Sequence, residues 1–176
     1  MGEPLVLALD IATQTGWALG PVPAAPVTPL EVAAGALAST PESGTRSFDG
    51  KGGQFFNNFA GWVGAMLTRH EPAFLIYEAP VLPARTQIAT LRRLYGMVAV
   101  VEVVARCWPE TQVFEVPLQL IKKHATGNGR AKKSAMIAAA KRMGWKPKDD
   151  NEADALWLWD YGCSVVRAAA RSEAAA

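Results

Sequence analysis

Apolar residues recur along this chain in two rhythms. Short unbroken or alternating runs, which suit strands, fall at 5–10, 11–19, 31–38, 73–78 and 112–116. Apolar positions three and four apart, which suit helices with one buried face, fill 54–69 and 86–108. Shorter helices are expected at 118–124 and 131–143, with a longer one from 149 onward. The first run, Leu5 through Leu9, ends in Asp10, and the chain then turns and comes back to Leu19 as a neighbouring strand. Pro21, Pro23, Pro26 and Pro29 cannot donate to a regular ladder, so they mark a loop before the third strand at 31–38. A polar surface loop is expected at 41–53, a turn at 144–148 and a frayed tail at 171–176. Strands and helices alternating in this way predict a single α/β domain over 1–176.

Composition narrows the picture. Half of the 176 residues are hydrophobic and 19% are charged, which predicts a packed core and excludes wholesale disorder. A net charge of +2 is too small to diagnose a polyanion binder. Its distribution says more, because Lys122, Lys123, Arg130, Lys132, Lys133, Lys141, Arg142, Lys146 and Lys148 crowd one stretch. Cys107 and Cys163 match no metal or redox spacing and are expected to be reduced thiols. No apolar run has the length of a membrane span and the N-terminus lacks a signal-peptide pattern, so a soluble cytoplasmic protein is expected.

Three carboxylates carry the candidate chemistry. Asp10 and Glu78 each end an apolar strand, and Asp154 sits one turn inside an apolar helix. Capping by Asp149, Asp150 or Asn151 explains the acids at that helix's start but not Asp154. If the two strands are adjacent and the helix crosses their end, the carboxylates cluster, with Asp150 and Asn151 on the same helix face as Asp154. Clustered carboxylates repel unless a cation intervenes, and an all-oxygen set suits Mg²⁺ or Mn²⁺. Two ions roughly 4 Å apart would support hydrolysis of a phosphodiester. Lys122 to Lys133 would then add charge to hold the polyanion. Within that stretch, Gly127 and Gly129 form either an ordinary loop or a phosphate cradle of backbone N–H groups. Arg85, Arg92 and Arg93 lie near the start of the 86–108 helix, against its macrodipole, so they are either solvated or meet an acidic partner.

The segments LALDIATQTGWAL, LIYEAP, LIKKHATGNGRAKKSA and NEADALWLW, in this order, resemble the RuvC family of Holliday junction resolvases, above all the divergent phage and prophage type. The resemblance implies a ribonuclease H-like fold, a five-stranded mixed sheet flanked by helices. It implies that Asp10, Glu78 and Asp154 hold two Mg²⁺ or Mn²⁺ ions and that Lys122 and Lys133 lie near the scissile phosphate. The family's fourth carboxylate is replaced by Asn151, leaving Asn151, Asp150 or Glu152 as the remaining ligand. DNA contacts are expected from Lys122, Lys123, Arg130, Lys132, Lys133, Arg85 and Arg92. The aromatic residue that the family carries shortly after the glutamate is missing, since Pro80, Val81, Leu82 and Pro83 stand there. A homodimer acting on four-way or other branched DNA is implied, with the 86–108 helix as candidate interface. The competing expectations are a non-catalytic DNA-binding scaffold of the same fold and a nuclease of ribonuclease H or integrase type. Residues 10–15 are also similar to the first phosphate loop of sugar kinases and actin-like ATPases, but those need two such domains.

Overall fold

Residues 3–35, 40–81 and 85–175 are described by a computed structural model of the chain. Five strands, β1 (Leu5–Asp10), β2 (Gln14–Pro21), β3 (Glu42–Ser47), β4 (Phe74–Glu78) and β5 (Gln112–Val116), form one sheet in the order β3-β2-β1-β4-β5. The β1–β2 and β2–β3 pairs are antiparallel, while β1–β4 and β4–β5 are parallel. The helices are α1 (Pro29–Ala33), α2 (Gly53–His70), α3 (Ile88–Ala105), α4 (Leu118–Thr126), α5 (Lys133–Met143) and α6 (Asp150–Ala174).

Alternation along the strands sorts the core into two layers. Val6, Ala8 and Ile76 pack beneath α6 with Leu156, Trp159 and Cys163. Leu7, Leu9, Leu75 and Tyr77 point the other way, against Phe55, Phe59 and Val63 of α2 and Met97 and Val101 of α3. Trp159, fully buried, donates its indole N–H to the carbonyl of Gly20 at 3.3 Å, which pins α6 to β2. Truncating such a residue to alanine costs about 3–5 kcal/mol. Gly162 lies over β4 so closely that an added methyl would collide with Ile76. Among the described residues, no helix is long and apolar enough to cross a membrane.

The third strand is not where the apolar pattern places it. Thr28 accepts from the Glu31 N–H while Glu31 accepts from the Thr28 N–H, a capping box that turns Pro29–Ala33 into helix α1. Residues 36–39 of the expected strand lie outside the described residues. The true third strand is Glu42–Ser47, inside the stretch expected to be a surface loop. It is polar because it is an edge strand whose Ser43 and Thr45 meet hydrogen-bonding partners rather than apolar core. At the other end, α6 continues through Arg171 to Ala174, where a frayed tail is expected.

Candidate active site

The site begins with register. Leu9 pairs with Tyr77 across the parallel β1–β4 ladder, so Asp10 and Glu78, one residue further on, end the two strands side by side. The strand period of two puts both carboxylates on the face that α6 covers, together with Ala8 and Ile76. Tyr77 faces the other layer, where its hydroxyl donates to Glu102 at 2.7 Å. The hairpin after Asp10 is held by the Thr15 hydroxyl, which donates to the Ala12 carbonyl at 2.9 Å.

The start of α6 is fastened to the sheet by polar residues. Asp149 is its N-cap, accepting from the Glu152 N–H at 2.8 Å and from the Thr45 hydroxyl at 2.7 Å. Glu152, buried, accepts from Ser43 at 2.8 Å and from the Lys148 N–H at 2.7 Å. Gly16, the cross-strand partner of Asp10, allows the backbone of Asn151 to approach where any side chain would collide with its carbonyl. The helix thus starts beside Asp10, and Asp154, one turn on, meets the strand ends.

The charges of these groups interact. Burial, then the neighbouring Glu78 and Asp154, hold the Asp10 carboxyl well above the usual carboxylate range. Burial and Asp154 push Glu78 up to about 7. Burial lifts Asp154 to about 6, against the opposing pull of Lys133 and Lys122. Lys122 therefore lies within electrostatic reach of Glu78 and Asp154, and Lys133 within reach of all three carboxylates. His124, 2.7 Å from the Asp160 carboxylate, ties α4 to α6 one half-turn from Lys122.

The structure separates the three options for a fourth ligand. Glu152 accepts from Ser43 with one carboxylate oxygen and from the Lys148 N–H with the other. Asp150 pairs with Lys133, whose hydrogen bond holds the Asp150 carboxyl below its ordinary range and raises Lys133 in return. Its charge still raises Asp10 and Asp154, so it belongs to the same field. Asn151 is half-buried beside Gly16. Among the described residues, no three His, Cys, Asp or Glu side chains have the spacing of a preformed metal cage. The donor chemistry nonetheless fits a hard divalent cation, because three mutually repelling carboxylates share one buried strand end with two lysines to offset them.

The remaining expectations divide. Lys123, Arg130 and Lys132 are exposed on the α4–α5 segment, and Arg85 and Arg92 are exposed before and within α3. Four N–H groups of the glycine loop are already taken. The N–H of Asn128 is taken by Thr126, that of Arg130 by the Asn128 side chain, and those of Gly127 and Ala131 by backbone carbonyls. Gly127 serves instead as the left-handed C-cap of α4. Gly16, Ser43 and Thr45 are the site-building residues that the sequence pattern does not flag. Only the glycine inside an otherwise β-rich return strand hints at a close backbone approach.

No protein-family model and no curated protein matches the chain. Solved structures do. Thermus thermophilus RuvC superposes with a TM-score of 0.73 at 18% identity, covering 94% of this chain and 96% of that one. T. thermophilus RuvC in complex with a Holliday junction substrate gives 0.76 at 16% identity, over 95% and 97%. The yeast mitochondrial Holliday junction resolvase Ydc2 gives 0.58 at 8% identity, over 95% and 83%. The chain therefore has the ribonuclease H-like fold of the RuvC resolvases, as its sequence motifs imply.

Proposed function

We propose that this protein is a metal-dependent, structure-selective endodeoxyribonuclease that nicks Holliday junctions or other branched DNA. The observation that carries the reading is the meeting of Asp10, Glu78 and Asp154, from two strands and a helix, beside Lys122 and Lys133. The fold shared with RuvC structures, one of them bound to a Holliday junction, supports the substrate class. Asp10, Glu78 and Asp154 would hold the metal, with Asp150 or Asn151 completing the set. Bound there, Mg²⁺ or Mn²⁺, two ions to a site, would supply an activated water and charge for the leaving oxygen.

The protein's own groups do the rest. Lys122 and Lys133 place positive charge where a phosphodiester must sit and where charge builds in the transition state. Lys133 shields Asp150. Turning Lys133 to a phosphate releases that carboxylate toward the other three. Lys123, Arg130 and Lys132 extend the basic surface along the DNA backbone, and Arg85 and Arg92 do so at the start of α3. Two symmetric nicks require two copies, and Tyr95, Ala99 and Val103 on the exposed face of α3 offer the surface for a homodimer. The expected site of action is the cytoplasm, on cellular or phage DNA.

A second reading, a DNA-binding scaffold without catalysis, rests on the carboxylates' lack of a preformed cage spacing. Labelled four-way, three-way, flap, linear duplex and RNA–DNA substrates, incubated with Mg²⁺, separate these readings. Wild type is expected to nick branched DNA preferentially, and Asp10→Asn to lose at least about 10³-fold in rate while still binding. No divalent-dependent cleavage of any substrate establishes the scaffold, and preferred cleavage of the RNA–DNA hybrid moves the protein to the ribonuclease H type.

A further inference from the structure

A pocket of 360 Å³ lies between the starts of α2 and α3, within the roughly 300–1,000 Å³ range of small-ligand sites. Its walls are Phe55, Phe56, Ile88, Ala89, Arg92 and Arg93. It occupies the same end of the sheet as the carboxylates, because α2 follows the end of β3 and α3 follows the end of β4. It lies on the opposite layer, among the residues of the α2–α3 core.

The pocket is built. Phe55 and Phe56 meet edge to face at 5.5 Å, and Gly96 leaves the space that the Phe56 ring fills. The Arg93 guanidinium sits 4.6 Å above the Phe55 ring, an arrangement that fixes it before any ligand arrives. Two features are unexplained by folding. Ile88 is 82% exposed at the first position of α3, where a polar residue would serve the helix better. Arg92 and Arg93 oppose the macrodipole, and among the described residues no carboxylate pairs with either.

Apolar walls next to two arginines that have no carboxylate partner among the described residues fit one chemistry, a flat aromatic ring joined to a phosphate. We infer that this pocket receives an unstacked nucleobase of branched DNA, with Ile88 and Phe56 against the base and Arg92 and Arg93 on its phosphate. Bases stack on aromatic rings and on guanidinium planes alike. Duplex DNA presents phosphates but keeps its base faces covered, whereas a branch point frees them. The pocket would therefore read structure rather than sequence, and it supplies an apolar contact in a chain with Pro80 and Val81 after its glutamate. The inference rests on the branched-DNA reading of the active site.

The test is binding without cleavage, in EDTA, to a four-way junction and to a duplex of equal length. One branch-point thymine is replaced by 5-iodouracil for photocrosslinking. Ile88→Ser and Arg93→Gln are expected to lower junction affinity about tenfold while duplex affinity stays within about twofold. The iodouracil is expected to crosslink to the peptide bearing Phe55 and Phe56 in the junction but not in the duplex. Unchanged thermal stability of Ile88→Ser shows that the loss is not unfolding. Equal losses on junction and duplex overturn the inference, since they mark a plain phosphate contact. Unchanged affinity for both also overturns it. So does weaker self-association of Ile88→Ser with junction binding intact, which gives the pocket to a second copy. Failure of wild type to bind any DNA overturns the branched-DNA reading together with the pocket, a result the variants alone cannot produce.

Discussion

α6 and α3 both start at the end of the sheet where β1 and β4 stop, and the two starts are built in opposite ways. The start of α6 is capped by Asp149, acidic through Asp150 and Glu152, and tied to β3 by Thr45 and Ser43. That of α3 has no side-chain cap at Gln87, no acid in its first turn, an exposed Ile88 and two arginines. A helix that must place Asp154 against Asp10 and Glu78 gains from a start fixed before any ligand binds. One without a side-chain cap at Gln87 leaves room for a ligand at its start. On the proposed function, the carboxylate layer is the one prepared for chemistry and the arginine layer the one prepared for capture.

The largest test of this contrast replaces one glycine under each helix. A methyl at Gly16 meets the backbone of Asn151, which cannot rotate away, whereas a methyl at Gly96 meets the ring of Phe56, which can. Gly16→Ala is expected to cost about 3 kcal/mol, to lower Tm by about 2–4 °C per kcal/mol and to abolish cleavage by lifting Asp154 off the strand ends. Gly96→Ala is expected to cost less than half as much and to leave single-turnover cleavage at saturating DNA near wild type. Thermal melts and single-turnover rates decide. Equal losses in both variants would show that the start of α6 is no more fixed than that of α3.

The next test is pH without divalent cations. Burial and mutual repulsion let Glu78 keep its proton to about pH 7 and Asp154 to about 6, above their ordinary values of 4.5 and 3.8. Between those limits the folded chain binds more protons than the unfolded chain. Stability from this source is complete below the ordinary values and is lost as pH rises through about 7. The metal-free protein should be less stable at pH 8 than at pH 5 by on the order of 2 kcal/mol, with Mg²⁺ or Mn²⁺ restoring the difference at pH 8. Glu78→Gln should flatten the profile and blunt the rescue. A melting temperature that rises from pH 5 to pH 8 would show that the three carboxylates do not share one field.

The contrast also explains what the sequence discloses. Asp10, Glu78 and Asp154 stand out because each interrupts or ends an apolar run, and burying a carboxylate needs a reason. Four of the five strands and the long helices follow from periodicity, since their inward faces meet apolar core. β3 escapes for the opposite reason. Its inward residues Ser43 and Thr45 face the polar start of α6, so no apolar alternation marks it, and Glu31, Val32 and Ala33, which fit a strand start by composition, belong to helix α1. The glycine loop shows the same limit, as Thr126 and Asn128 quench N–H groups that composition alone leaves open. Gly16 is legible as a glycine, but its role depends on a backbone segment 135 residues away in sequence.

The smallest expected effect isolates the tether itself. Thr45→Val keeps the shape of the side chain and removes only its hydrogen bond to Asp149, which still caps α6 through the Glu152 N–H. Removing one such bond costs about 1 kcal/mol. The loss should be local, because Ser43 still holds Glu152, three residues after Asp149, to β3. Hydrogen exchange of the Ala153 and Asp154 amides should therefore quicken about fivefold, while amides in the first turn of α3, which lacks a comparable tether, keep their wild-type rates. Equal quickening in both helices would mean that Thr45 supports the fold as a whole, and the difference between a fixed start and an open one would lose its physical basis.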